Sequence, residues 1–77
     1  MREFAVRLKK AREQNGFTQE QLAEKIGVTR QAVSRWEQDI TQPDMEMLVA
    51  LSEALQIEAE FFFIKIKEPG LRVLIDF

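Results

Sequence analysis

The sequence predicts an all-α domain with a short β element at its carboxy-terminal end, and three observations predict it. Apolar residues recur at spacings of three and four over residues 3–15 and 45–56, the period of amphipathic helices. Between these stretches lie two shorter helical segments, bounded by Thr and Gly and separated by only three residues. From Ile64 onward the period changes to two, the pattern of strands.

The first helix carries Phe4, Leu8 and Ala11 on one stripe, with Ala5 or Val6 beside them. Asn15 and Gly16 stop it, because glycine takes the left-handed conformation that closes a helix at little steric cost. Thr18 restarts the chain, with Gln21 three residues later at the spacing of a capping box. A helix over Gln19–Ile26 follows, and Gly27 ends it. Thr29 is the next N-cap and opens a third helix through about residue 38. Pro43 is excluded from a helix interior, and Asp44 behind it caps the fourth helix, with Leu48, Leu51 and Leu55 as its apolar stripe. A fifth, short helix is expected around residues 58–62, although Phe61, Phe62 and Phe63 read equally as the entry to a strand.

In the last stretch Ile64 and Ile66 alternate with Lys65 and Lys67, and Glu68, Pro69 and Gly70 supply turn chemistry. Leu71, Val73, Ile75 and Phe77 then alternate again. A β-hairpin is therefore expected over residues 64–77. Such a hairpin is marginal in water unless its apolar face is covered, so this extension is assigned to dimerisation. Residues 1–63 form the other expected unit, a compact five-helix domain.

Composition narrows the chemistry. The chain has 77 residues, 45% hydrophobic and 31% charged, as in an ordinary globular domain. Neither Cys nor His is present, which removes disulfides, thiolate metal sites and the commonest general base. With no glycine-rich phosphate loop either, the sequence offers no nucleophile beside a base, and no enzyme, cofactor or metal site is expected. The start MREFAVRLKK has no uninterrupted apolar stretch of the kind a signal peptide needs, and cytoplasm is the expected compartment, with no membrane partner. The net charge of -2 is unevenly spread. Residues 1–40 hold eight Lys and Arg against six Asp and Glu, net +2, whereas residues 41–77 hold three against seven, net -4. Any phosphate-facing surface is thus expected in the first half.

Two short helices joined by a tight turn containing glycine make the geometry that places a second helix in the DNA major groove. The residues from Gln19 to Trp36 meet its demands. Ala23 is small where the helix axes approach, Gly27 permits a positive φ, and Leu22, Ile26 and Val33 are apolar where the helices share a core. On the third helix, Arg30 and Arg35 can each make two parallel bonds to guanine, Gln31 can do so with adenine, and Ser34 can serve several bases. Val33 and Trp36 point to the other side. Glu37 and Glu20 read as charged helix surface.

The segment TQEQLAEKIGVTRQAVSRWEQ, with RLKKAREQNGF before it and QPDMEMLVALSEAL after it, resembles the Cro and repressor family of helix-turn-helix regulators. The resemblance covers about residues 3–63. It implies a lambda-repressor-like bundle that binds operator DNA as a homodimer and regulates transcription, as a repressor. It also implies a phosphate contact for Gln19 and groove-facing places for Thr29, Arg30, Gln31, Ser34 and Arg35. Thr18, at the start of the second helix, and Arg12, on the basic face of the first, complete the candidate DNA contacts. Asp39 and Gln56 stand where the family usually has glycine. The alternative reading is an antitoxin-like interaction protein whose tail, from Phe61 onward, clamps a partner protein.

Overall fold

The computed structural model describes residues 2–62. They form four α-helices, α1 (Arg2–Gln14), α2 (Gln19–Ile26), α3 (Arg30–Glu37) and α4 (Met45–Leu55), closed by one 3-10 turn, Ala59–Phe62. No described helix is long and apolar enough to cross a membrane.

The helix starts follow from side-chain caps. Thr18 accepts a hydrogen bond from the Gln21 backbone N–H, and the Gln21 side chain accepts one from the Thr18 backbone N–H in return, completing the capping box. The Thr29 hydroxyl accepts from Ala32 N–H, and the Asp44 carboxylate from Met47 N–H. The stops differ among themselves. Gly16 and Gly27 sit at φ 77 and 81, in the left-handed region, and so do two residues with side chains, Asp39 at φ 63 and Gln56 at φ 58. At both departures from the family pattern the backbone thus keeps the conformation that glycine would favour.

The expected fold class needs correction in its helix count. There are four α-helices in the described residues instead of five: the segment expected as a fifth helix makes only a single 3-10 turn. Its Phe61 N–H bonds to the Glu58 carbonyl three residues back, the 3-10 pattern, and Arg7 donates to the Phe61 carbonyl at 2.9 Å. The described residues contain no strand. The hairpin expected over residues 64–77 lies outside the described residues, which are all-α.

All the elements contribute to one core. Phe4, Leu8 and Ala11 from α1 meet Leu22 and Ala23 from α2, Val33 and Trp36 from α3, Leu48, Leu51 and Leu55 from α4, and Phe62 from the closing turn. Ile26 packs against this cluster while partly exposed. The Phe62 ring lies 5.0 Å from that of Phe4 and locks the closing turn to α1. Asn15 ties two helix ends together, its side-chain amide donating to the Ala11 carbonyl at 2.8 Å and to the Leu55 carbonyl at 3.2 Å.

A charged pair crosses the interior between α1 and α3. Arg12 donates through Nε to Glu37 Oε2 at 2.6 Å and through a terminal nitrogen to Glu37 Oε1 at 3.2 Å. Its other terminal nitrogen donates to the Phe17 carbonyl at 2.7 Å. The Arg12 side chain is 10% exposed and that of Glu37 4%. Hydrogen bonding to Glu37 holds the Arg12 guanidinium pKa above its ordinary value, against the opposing effect of burial.

Two predictions follow from this packing. A Cβ at Gly27 would meet no atom within 4 Å, so any cost of a side chain there is a cost of the positive φ alone. Gly27→Val should lower stability by about 1–3 kcal/mol, whereas Gln56→Gly should raise the melting temperature by relieving the same strain. Chemical and thermal unfolding measure both, and an unchanged midpoint for Gly27→Val would displace the turn from this glycine. The second concerns the ion pair. Arg12→Met leaves Glu37 buried without its partner and should cost about 3–5 kcal/mol. The double variant Arg12→Met with Glu37→Leu should recover most of that loss, and a double variant as unstable as the single one would contradict the assignment.

Candidate nucleic-acid interface

The α2–α3 unit is built around a turn of three residues, Gly27, Val28 and Thr29, with both Gly27 and Val28 N–H groups bonded to the Ala23 carbonyl. That closure satisfies the end of α2 and turns the chain sharply into α3. Ala23, 2% exposed, lets the two helices approach.

On α3 the sequence divides cleanly around the axis. At about 100° per residue, Arg30, Ser34, Gln38, Gln31 and Arg35 fall in that order within about 140° of arc. Ala32, Trp36 and Val33 occupy the opposite side, where Val33 and Trp36 are buried, and Glu37 falls at the boundary, next to Arg30. Arg30, Gln31 and Arg35 are exposed and Ser34 is half-buried. Neither Arg30 nor Arg35 is held by an acidic side chain among the described residues. The outer face of α3 therefore presents two guanidiniums, a carboxamide and a hydroxyl, a set able to donate to base edges and to phosphates alike.

The other expected contacts are distributed differently. Thr18 and Thr29 lie exposed at the starts of α2 and α3, where their hydroxyls accept the capping hydrogen bonds. Gln19, at the first position of α2, is partly buried, and its amide donates to Glu37 Oε1 at 3.0 Å. Gln19 thus sits beside the carboxy-terminal end of α3, tied to it through Glu37. Arg12 is the residue that the structure does not bring to this surface. It is 8% exposed, and its guanidinium is committed to Glu37 and to the Phe17 carbonyl. Its expected role as a phosphate contact is corrected to that of an internal strut.

Glu37 is the residue that sequence reasoning missed, since it reads there as charged surface and is buried here. A signal was available. Glu37 stands four residues after Val33, at the edge of the apolar side of α3, and Arg12 stands four after Leu8, beside the apolar side of α1. Opposite charges, one beside each of two buried stripes, mark a pair that meets inside.

Comparison with known proteins agrees with this geometry. The family pattern described as helix-turn-helix matches residues 8–62. The SPbeta prophage-derived HTH-type transcriptional regulator YonR of Bacillus subtilis (strain 168) is 36% identical over 58 residues, which cover 75% of this chain and 54% of that protein. The chain spans about half the length of the curated relatives it matches. Among solved structures, the P22 c2 repressor in complex with a synthetic operator superposes with a TM-score of 0.74 at 34% identity, covering 77% of this chain and 89% of the repressor chain. SinR, a master regulator for biofilm formation solved in complex with DNA, also gives 0.74, at 27% identity over 79% of this chain and 98% of its own. On the family match, the kinship and the shared fold, the chain belongs to the helix-turn-helix family of the Cro and repressor type.

Proposed function

We propose that the protein is a sequence-specific DNA-binding transcriptional regulator, acting as a repressor, with residues 1–63 as its DNA-binding domain. The observation that carries this reading is the outer face of α3, where Arg30, Gln31, Ser34 and Arg35 stand together on a helix that two capped starts and a buried ion pair hold in place. Kinship supports it, since the P22 c2 repressor, solved on its operator, shares the fold at 34% identity. The protein works in the cytoplasm and without a cofactor.

In this reading the amino-terminal part of α3 enters the major groove, and Arg30, Gln31, Ser34 and Arg35 meet base edges or phosphates there. Gln19, Thr18 and Thr29 flank the groove at the helix starts, where backbone N–H groups and the helix dipole favour a phosphate. A helix of eight residues is only about 12 Å long and spans three or four base pairs, too few to single out a site. Two copies with recognition helices about 34 Å apart would read two half-sites on one face of the duplex. The protein is therefore assigned as a homodimer on DNA, with tethering of the two half-site contacts providing the affinity that neither has alone. Repression follows from occupancy of a promoter that polymerase would otherwise use.

Footprinting of the purified protein on the DNA flanking its own gene tests this reading. Two protected segments one helical turn apart are expected, and uniform protection at all concentrations would reject a sequence-specific regulator. Arg30→Ala and Gln31→Ala should each weaken binding to the footprinted site by about 1–3 kcal/mol and relax the preference at one base pair, with circular dichroism unchanged. Equal losses on random duplex would reassign both residues to phosphates.

A further inference from the structure

Gln38 belongs to no expected contact set, yet it returns to α3 twice. Its backbone N–H bonds to the Ser34 carbonyl at 3.0 Å, and its side-chain amide Nε2 donates to Ser34 Oγ at 2.7 Å. The second bond bears on how Ser34 can read a base. A serine hydroxyl has one hydrogen to give and two lone pairs to offer. Inside a helix it often gives that hydrogen back to a carbonyl of the preceding turn. Ser52 does this on α4, donating to the Val49 carbonyl at 2.7 Å. Ser34 does the opposite. Its oxygen accepts from Gln38, and no carbonyl among the described residues takes its hydrogen. With one lone pair occupied from the carboxy-terminal side, the hydroxyl hydrogen is left for an acceptor on the outer face, between Arg30 and Gln38.

Resting on the DNA-binding reading above, we propose that Gln38 is a positioning residue for base readout, fixing Ser34 as a hydrogen-bond donor toward the groove. Ser34 then selects a base that presents an acceptor in the major groove, through N7 of a purine, O6 of guanine or O4 of thymine. It favours these over cytosine, whose N4 donor can meet only the one lone pair that Gln38 leaves open. Gln38 acts through Ser34: it sets the polarity of the hydroxyl and needs no base contact of its own. Among the described residues its amide is the side-chain donor to Ser34, and Gln38 itself is exposed, so its replacement should leave the core untouched.

Replacing Gln38 by glutamate reverses the bond. A carboxylate can only accept, so Ser34 would turn its hydrogen to residue 38 and face the groove with lone pairs. The test is selection of bound sites from a random duplex pool by the wild type, Gln38→Ala, Gln38→Glu and Gln38→Glu combined with Ser34→Ala, with affinities then measured on the four single-base variants of the selected site at each position. Wild type should disfavour cytosine at one position by about tenfold. Gln38→Ala should flatten that preference, and Gln38→Glu should raise cytosine there relative to thymine and guanine. In the Ser34→Ala background the glutamate should leave the ranking unmoved. The added negative charge will weaken binding to every site, so the ranking of bases is the readout and absolute affinity is not. If Gln38→Ala and Gln38→Glu lower affinity equally for all four bases, Gln38 does not position Ser34 and the proposal fails while the DNA-binding reading stands. A wild type that enriches no site overturns both.

Discussion

The placement of α3 depends on the ion pair buried between it and α1. Arg12 donates to both oxygens of Glu37 and to the Phe17 carbonyl, and Glu37 accepts in addition from Gln19. Four segments meet in this cluster: the end of α1, the loop after it, the start of α2 and the end of α3. Charges in an interior are costly unless every donor and acceptor is met. Here they are met, for no buried side-chain nitrogen or oxygen among the described residues lacks a hydrogen-bond partner. Apolar side chains of similar volume would fill the same space without demanding a direction. A guanidinium facing a carboxylate sets both distance and orientation, and so fixes how α3 lies across α1 while holding Gln19 beside it.

Around this strut, the ends of α3 are finished without using its outer face. At the start, the Thr29 hydroxyl caps the helix from outside its first turn. At the finish, Asp39 adopts the left-handed conformation and the chain doubles back, with Ile40 N–H bonding to the Arg35 carbonyl at 2.9 Å. The Ser34, Arg35 and Trp36 carbonyls at the end of the helix are met by the backbone N–H groups that follow it. Asp39 and Gln56 carry the conformational cost that glycine would avoid. That cost is tolerable because following backbone groups close both ends: Ile57 N–H bonds to the Ser52 carbonyl at 3.0 Å after α4, as Ile40 does after α3.

Much of this was legible in the sequence, and for a physical reason. Caps are local: Thr18 with Gln21, Thr29 and Asp44 act on N–H groups three residues away, so the start of each helix is written where it occurs. The bounds of α2 and the starts of α3 and α4 emerge from the residues alone. Long-range pairing was not legible in the same way. Arg12 and Glu37 are 25 residues apart, and each read singly belongs to a solvated helix face. Only the docking of α1 on α3 brings them together, and that moves Arg12 from the candidate phosphate contacts into the interior. The closing turn shows the same limit. A short fifth helix is expected around residues 58–62, but the segment is a single 3-10 turn, held to α1 by the bond from Arg7, 54 residues away, to the Phe61 carbonyl.

On the proposed function, the eight residues of α3 must satisfy two unrelated demands, docking and reading, and the helical period lets them do so independently. Val33, Trp36 and Glu37 meet the bundle, two by apolar contact and one by charge, while Arg30, Gln31, Ser34 and Arg35 face away from it. Because the inner residues draw their stability from partners on α1, α2 and α4, the outer ones carry little of the packing. Their identities are therefore little constrained by the fold. Surface substitutions away from packed groups usually change stability by less than about 0.5 kcal/mol, whereas a single bidentate base contact is worth about 1–3 kcal/mol. On the proposed function, the same helix can therefore change what it reads at small cost to the fold, so long as the strut beneath it is kept.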